Sequence, residues 1–84
     1  MARKTHTIIV DAETNDRIEY EYDYSDRVWN VYAIDGLTGY PIQSGYAGSK
    51  NERDYIIENE ARGWFNDVEQ RNAARMAYQM FGGK

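Results

Sequence analysis

Residues 17–24, RIEYEYDY, alternate without a fault: Ile18, Tyr20, Tyr22 and Tyr24 fall on one face, Arg17, Glu19, Glu21 and Asp23 on the other. A period of two marks a half-buried strand with one dry and one wet face. The phenol rings are expected to face the core and the carboxylates water. Alternate residues on a strand stand about 6.8 Å apart, so Glu19, Glu21 and Asp23 make a regular row of negative charge. Upstream, residues 5–10 (THTIIV) are short and β-branched, a second strand signal, and residues 11–16 (DAETND) read as the polar turn between the two. Downstream, Ser25 and Asp26 supply a tight turn, and residues 28–34 (VWNVYAI), apolar on both faces, read as a central strand. Residues 35–39 (DGLTG) are a strong turn signal, with two glycines free to take positive φ. Residues 40–47 are the fourth strand, and Pro41, which cannot donate to a ladder, belongs near its start or on an edge.

After Gly48 the period changes. Residues 49–52 (SKNE) form a capping box, in which the Ser49 hydroxyl and the Glu52 carboxylate each satisfy a free backbone N–H. A helix follows over residues 50–62, with Ile57, Ala61, Trp64 and Val68 on one stripe and Tyr55 and Ile56 beside it; Gly63 ends or bends it. Residues 66–69 (NDVE) offer a second capping box, and Ala73, Met76, Ala77, Met80 and Phe81 follow the spacing of an amphipathic helix. Residues 82–84 (GGK) are expected to fray. No internal repeat, linker or low-complexity segment stands out. Strands followed by helices give an α+β fold, ββββαα: a four-stranded antiparallel meander with two C-terminal helices packed on one face, in a single domain spanning residues 1–84.

The chain has 84 residues and a net charge of −4. Residues 11–35 hold eight acids (Asp11, Glu13, Asp16, Glu19, Glu21, Asp23, Asp26, Asp35) against Arg17 and Arg27, whereas residues 36–49 carry no charge. A domain that neutralises phosphates shows a basic stripe; this one shows the opposite, so direct nucleic-acid binding is not expected and a basic partner is. With no cysteine, a disulfide framework, a thiolate metal site and a cysteine nucleophile are excluded. Residues 1–4 lead straight into a strand, which reads as a chain without a signal peptide, and no apolar run approaches the ~18 residues of a membrane span. The expectation is a soluble, intracellular protein.

No residue set supplies reaction chemistry. Paired carboxylates abound over residues 11–26, but general acid–base work needs a pocket that separates their pKa values, and a wet strand face is not one. Residues 11–16 have the acid density of a calcium loop, but lack its sixth-position Gly and carry Tyr22 where the bidentate Glu belongs. His6 has neither a second His nor a cysteine beside it. Ser25, Ser44 and Ser49 sit in turn, strand and cap contexts rather than in a nucleophile elbow. No phosphate-cradling Gly-Lys-Ser/Thr follows the glycines at 36, 39, 45 and 48. An enzyme, a cofactor and a metal site are therefore not expected.

What remains is binding. Tyr20, Tyr22, Tyr24, Trp29, Tyr32, Tyr40 and Tyr46 fall on strands; base-stacking sheets carry Lys and Arg beside such rings, but these strands carry acids, so core packing is the expected role for most of them. Tyr also serves interfaces, adding contact area with few rotors to freeze. The candidate partner-binding residues are Glu19, Glu21 and Asp23, extended at the hairpin ends by Asp26, Asp16 and Glu13. Such a row matches the sign and coarse spacing of a nucleic-acid backbone and would oppose an Arg/Lys groove. A homodimer through Met76, Met80 and Phe81 is the other partnership the sequence allows.

The strand pair 18–24 and 28–34, followed by the helix start at Ser49 to Glu52 and the run to Trp64 and Phe65, resembles in architecture the small anti-CRISPR-type inhibitor proteins of phages and mobile elements. The resemblance implies a non-enzymatic inhibitor that docks on a CRISPR effector or another nucleic-acid-handling complex, and it assigns no binding residue. Residues 28–62 also resemble HicB-type antitoxin domains in the order strand, Gly-containing turn, strand, amphipathic helix. The strand–helix plan resembles, loosely, the arm-binding domain of phage integrases. These leave an antitoxin or a small nucleic-acid-binding domain as the alternative function.

Overall fold

The computed structural model describes residues 4–82. Four strands, β1 (His6–Asp11), β2 (Asp16–Asp23), β3 (Val28–Ile34) and β4 (Pro41–Ala47), form one antiparallel sheet in the order β1-β2-β3-β4. This is the meander expected from the short connections. Both β1 and β2 lie about one residue from their expected bounds, so Tyr24 leaves β2 and joins the following turn, 67% exposed.

The three hairpins are built alike. Asp11, Asp23 and Asp35, twelve residues apart, each open a turn, and the carbonyl of each accepts the N–H four residues on, from Asn15 (2.8 Å), Arg27 (2.7 Å) and Gly39 (2.7 Å). Each carboxylate also accepts backbone N–H groups inside its turn: from Glu13 and Thr14 at Asp11, from Ser25 and Asp26 at Asp23, and from Thr38 at Asp35. The closing residue is left-handed in every case, with φ of 65° at Asn15, 58° at Arg27 and 79° at Gly39. An Asp opens every turn, but the residues between and the closing residue differ, and that hid the repeat from the sequence reading. Gly36 does not take positive φ as expected. Its constraint is space, because a Cβ there would fall on the backbone of Thr14, Asn15 and Asp16.

One face of the sheet carries the core. Ile18, Val31, Ala33 and Ile42 pack against Ile57, Ala61 and Phe65, with Ile8, Val10, Tyr20, Ile56 and Trp64 around them. In β4 the register slips: Gln43 faces Ala33 and Pro41 faces Ile34, leaving Ile42 as the extra, buried residue. α1 (Lys50–Ile56) starts at the expected cap, where the Ser49 hydroxyl accepts the Glu52 N–H at 3.2 Å. It widens into a π-helical turn, Ile57–Ala61, and closes with α2 (Arg62–Trp64). Ile57, Ala61 and Trp64 meet the sheet as the stripe required, and Gly63 lies one residue before the helix ends. Val68 does not join them: it opens the next helix and is exposed.

α3 (Val68–Ala77) departs from expectation twice. Its cap is Asp67, which accepts the Gln70 N–H at 3.1 Å, so the capping residue lies one place later than the Asn66 reading. Its inward face is Arg71, Ala74 and Arg75, whereas Ala73 and Met76, with Met80 just beyond, are exposed. The expected apolar stripe thus points away from the sheet. Two buried carboxylates lie under α3, and leaving a buried charge unpaired costs more than leaving methionines in water. The chain stays helical through a second π-helical segment, Tyr78–Gly82, where fraying was expected from Gly82; Gly83 and Lys84 lie outside the described residues. The Tyr78 ring meets Tyr40 edge-on at 5.7 Å, and Gly82 abuts the Tyr40 phenol.

Candidate functional site

Antiparallel pairing sets the residues of the helix-free face in rows. Thr7, Glu19, Tyr32 and Ser44 lie across one row, and Glu21, Asn30 and Tyr46 across the next. Ile9, Arg17 and Ile34 make a third. Tyr46 is 75% exposed, and Ile9 is also exposed. Glu19 accepts a hydrogen bond from Arg17 Nε at 2.9 Å, and Glu21 from the Thr5 hydroxyl at 3.2 Å. Both glutamates are half-buried among their cross-strand neighbours.

The six candidate acids do not form one continuous row. Glu19 and Glu21 stand at the middle of the face. Asp23 ends β2, is buried, and has its Oδ1 engaged with the N–H groups of its turn. Asp26 is exposed in that turn, and Glu13 is exposed in the turn at the opposite end of the hairpin. Asp16 lies on the helix side of the sheet, where its carboxylate meets Arg71.

Around Asp16 the structure assembles a buried charge cluster that the sequence reading missed. Arg71 donates to both Asp16 oxygens (3.2 and 3.1 Å), to Asp35 Oδ1 (2.9 Å) and to the Phe65 carbonyl (2.8 Å). Arg75 donates to Asp35 Oδ1 at 3.2 Å, and the Thr38 hydroxyl to Asp35 Oδ2 at 2.8 Å. The Gly36 N–H completes Asp16 at 2.8 Å. Burial alone would raise the Asp35 carboxyl, but hydrogen bonds from Arg75 and Thr38, the Arg75 charge and a bond from Arg71 hold it below its ordinary 3.8. Asp16 is likewise lowered: burial opposes, while the Arg71 hydrogen bond, the Gly36 N–H and the Arg71 charge prevail. Hydrogen bonding to Asp16 in turn raises Arg71 against its own burial. Two acids and two arginines balance, and every buried side-chain polar atom among the described residues has a partner, so the cluster clamps α3 to the ends of β2 and β3. The pair of arginines four residues apart, Arg71 and Arg75, is the signal that could have found it.

The rings of β2 divide between core and edge. Tyr20 packs against the core, with His6 stacked on it at 4.9 Å between centroids. Tyr22 meets Trp29 edge-on at 5.2 Å and Tyr24 at 4.9 Å. The Arg53 guanidinium lies 4.4 Å from the centre of Trp29 and 5.1 Å from that of Tyr20. Among the described residues no group of three or more His, Cys, Asp or Glu is placed to hold a metal ion, and no helix is long and apolar enough to cross a membrane. Comparison with protein-family models, with curated proteins and with solved structures finds no match for this chain.

Proposed function

We propose that the protein is a non-enzymatic inhibitor that docks the helix-free face of its sheet on a basic, nucleic-acid-binding surface of a protein partner, in the manner of the anti-CRISPR-type proteins it resembles. The observation that carries this reading is the face itself. Glu19 and Glu21 lie side by side on β2, flanked on β3 and β4 by Tyr32, Asn30 and Tyr46, with the helices on the other side. Carboxylates give such a face its sign and steer encounter with a cationic groove; the exposed Tyr46, with half-buried Tyr32 beside Glu19, gives contact area. Asp26 and Glu13 extend the negative field to the two ends of the hairpin. Asp16 and Asp23 hold the fold and are no part of the docking set.

The test is charge reversal at Glu19, Glu21 and Asp26 to Lys, sparing Asp16 and Asp23. A partner captured from bacterial lysate by the wild-type chain should lose its nucleic-acid binding when the chain is added. The reversed variant, equally folded by circular dichroism, should neither be captured nor inhibit. Equal capture and inhibition by the variant would remove the reading.

A further inference from the structure

The sheet's other face ends in a pocket that the docking face does not involve. Past Arg53 the rings of β2 and β3 run out from under α1, and a cavity of about 130 Å³ opens between Lys4, His6, Tyr22, Tyr24 and Trp29. Its walls are aromatic. Its charged lining residue is a lysine, and no carboxylate lines it. The Arg53 guanidinium against Trp29 adds a second cation, although Asp54 accepts hydrogen bonds from it at 2.8–2.9 Å. Acids share these strands in the sequence. In the folded sheet Glu19 and Glu21 project from the opposite face, and the rings keep company with cations.

We propose that this pocket binds a nucleobase bearing a phosphate. The base stacks on the exposed phenol ring of Tyr24, with Tyr22 edge-on beside it, and the Lys4 ammonium meets the phosphate. An aromatic wall rimmed by lysine repels an ammonium guest, which excludes a methyl-lysine cage. It suits a π-face carrying negative charge, which every nucleotide presents. A free nucleotide and the end of a single strand share this chemistry. The proposal is independent of the docking face, since the two sites use opposite sides of the sheet.

The experiment is a titration of the full chain at about 50 mM salt with AMP, with a single-stranded hexanucleotide and with inorganic phosphate, following the indole N–H resonances of Trp29 and Trp64 by NMR. The Trp29 resonance should move saturably with AMP, with the oligonucleotide or with both, and that pattern tells a free nucleotide from a strand. Trp64, which packs over Gly45, should stay fixed, as should Trp29 in phosphate alone. Tyr24→Ala, at an exposed turn position, should weaken binding at least about fivefold, the lower end for loss of one stacking ring. Lys4→Glu should weaken it and flatten its salt dependence. Reversal of Glu19 and Glu21 should leave it unchanged. No movement of Trp29 with AMP up to about 5 mM or with the oligonucleotide, or wild-type affinity in both Tyr24→Ala and Lys4→Glu, would overturn the proposal.

Discussion

Asp35 has no exposed surface, yet it meets two guanidinium groups and a threonine hydroxyl. A buried carboxylate held this way depends on every partner. Arg71→Met leaves Asp16 without its guanidinium partner and takes one of two from Asp35, and should cost about 3–5 kcal/mol, read as a lower urea midpoint at unchanged slope. The sign with pH follows from the lowered carboxyls: their stabilisation is fully present above the ordinary value of 3.8 and is lost as pH falls through the lower folded value. Stability should therefore hold from neutral pH down to about 4 and drop below it, and Asp35→Asn should flatten that drop while lowering stability at neutral pH. Arg27 shows the opposite situation. It takes the left-handed position that Gly39 fills in the third turn, at a cost to a side chain of about 1–2 kcal/mol. Arg27→Gly should raise stability by about 0.5–1 kcal/mol, and Gly39→Ala should lower it by a similar amount, both seen in thermal melts.

At the scale of elements, the strands were legible in the sequence and the helix faces only partly. The alternation over residues 17–24 required an extended chain with its two faces chemically distinct, and β2 obeys it from Arg17 to Tyr22. Beyond that stretch alternation is silent on chemistry: Asp16 continues the helix-side face but joins an ion cluster there, and Asp23 is drawn into a turn. The Ile57, Ala61 and Trp64 stripe was correct because only apolar packing acts on it. α3 turned the other way because its orientation is set by two carboxylates far away in sequence, and no local pattern reports those. Its surface methionines test this directly: Met76→Gln with Met80→Gln should change stability by less than about 0.5 kcal/mol, whereas a helix docked by its apolar stripe would lose several. Gly63 is a further local test. A Cβ there meets nothing, so Gly63→Ala should stabilise α2 by about 0.5–1 kcal/mol in urea unfolding.

At the scale of the molecule, the sheet separates its chemistry by side. Helices, core and charge clamp occupy one face, with the ringed pocket at its end; Glu19, Glu21, Tyr32 and the exposed Tyr46 occupy the other. The sequence named six acids for partner binding, and the alternation placed Glu19 and Glu21 on the wet face. Alternation run back one residue sets Asp16 on the helix side with Ile18, but it could not show the partner there, because Arg71 lies 55 residues away. Carboxyl footprinting by carbodiimide labelling and mass spectrometry tests the docking face most directly, on the free chain and on its complex with the captured partner. The account predicts that Glu19, Glu21 and Asp26 label in the free chain and are protected in the complex, while Asp35 stays unlabelled in both. Equal labelling of Glu19 and Glu21 with and without the partner would contradict it.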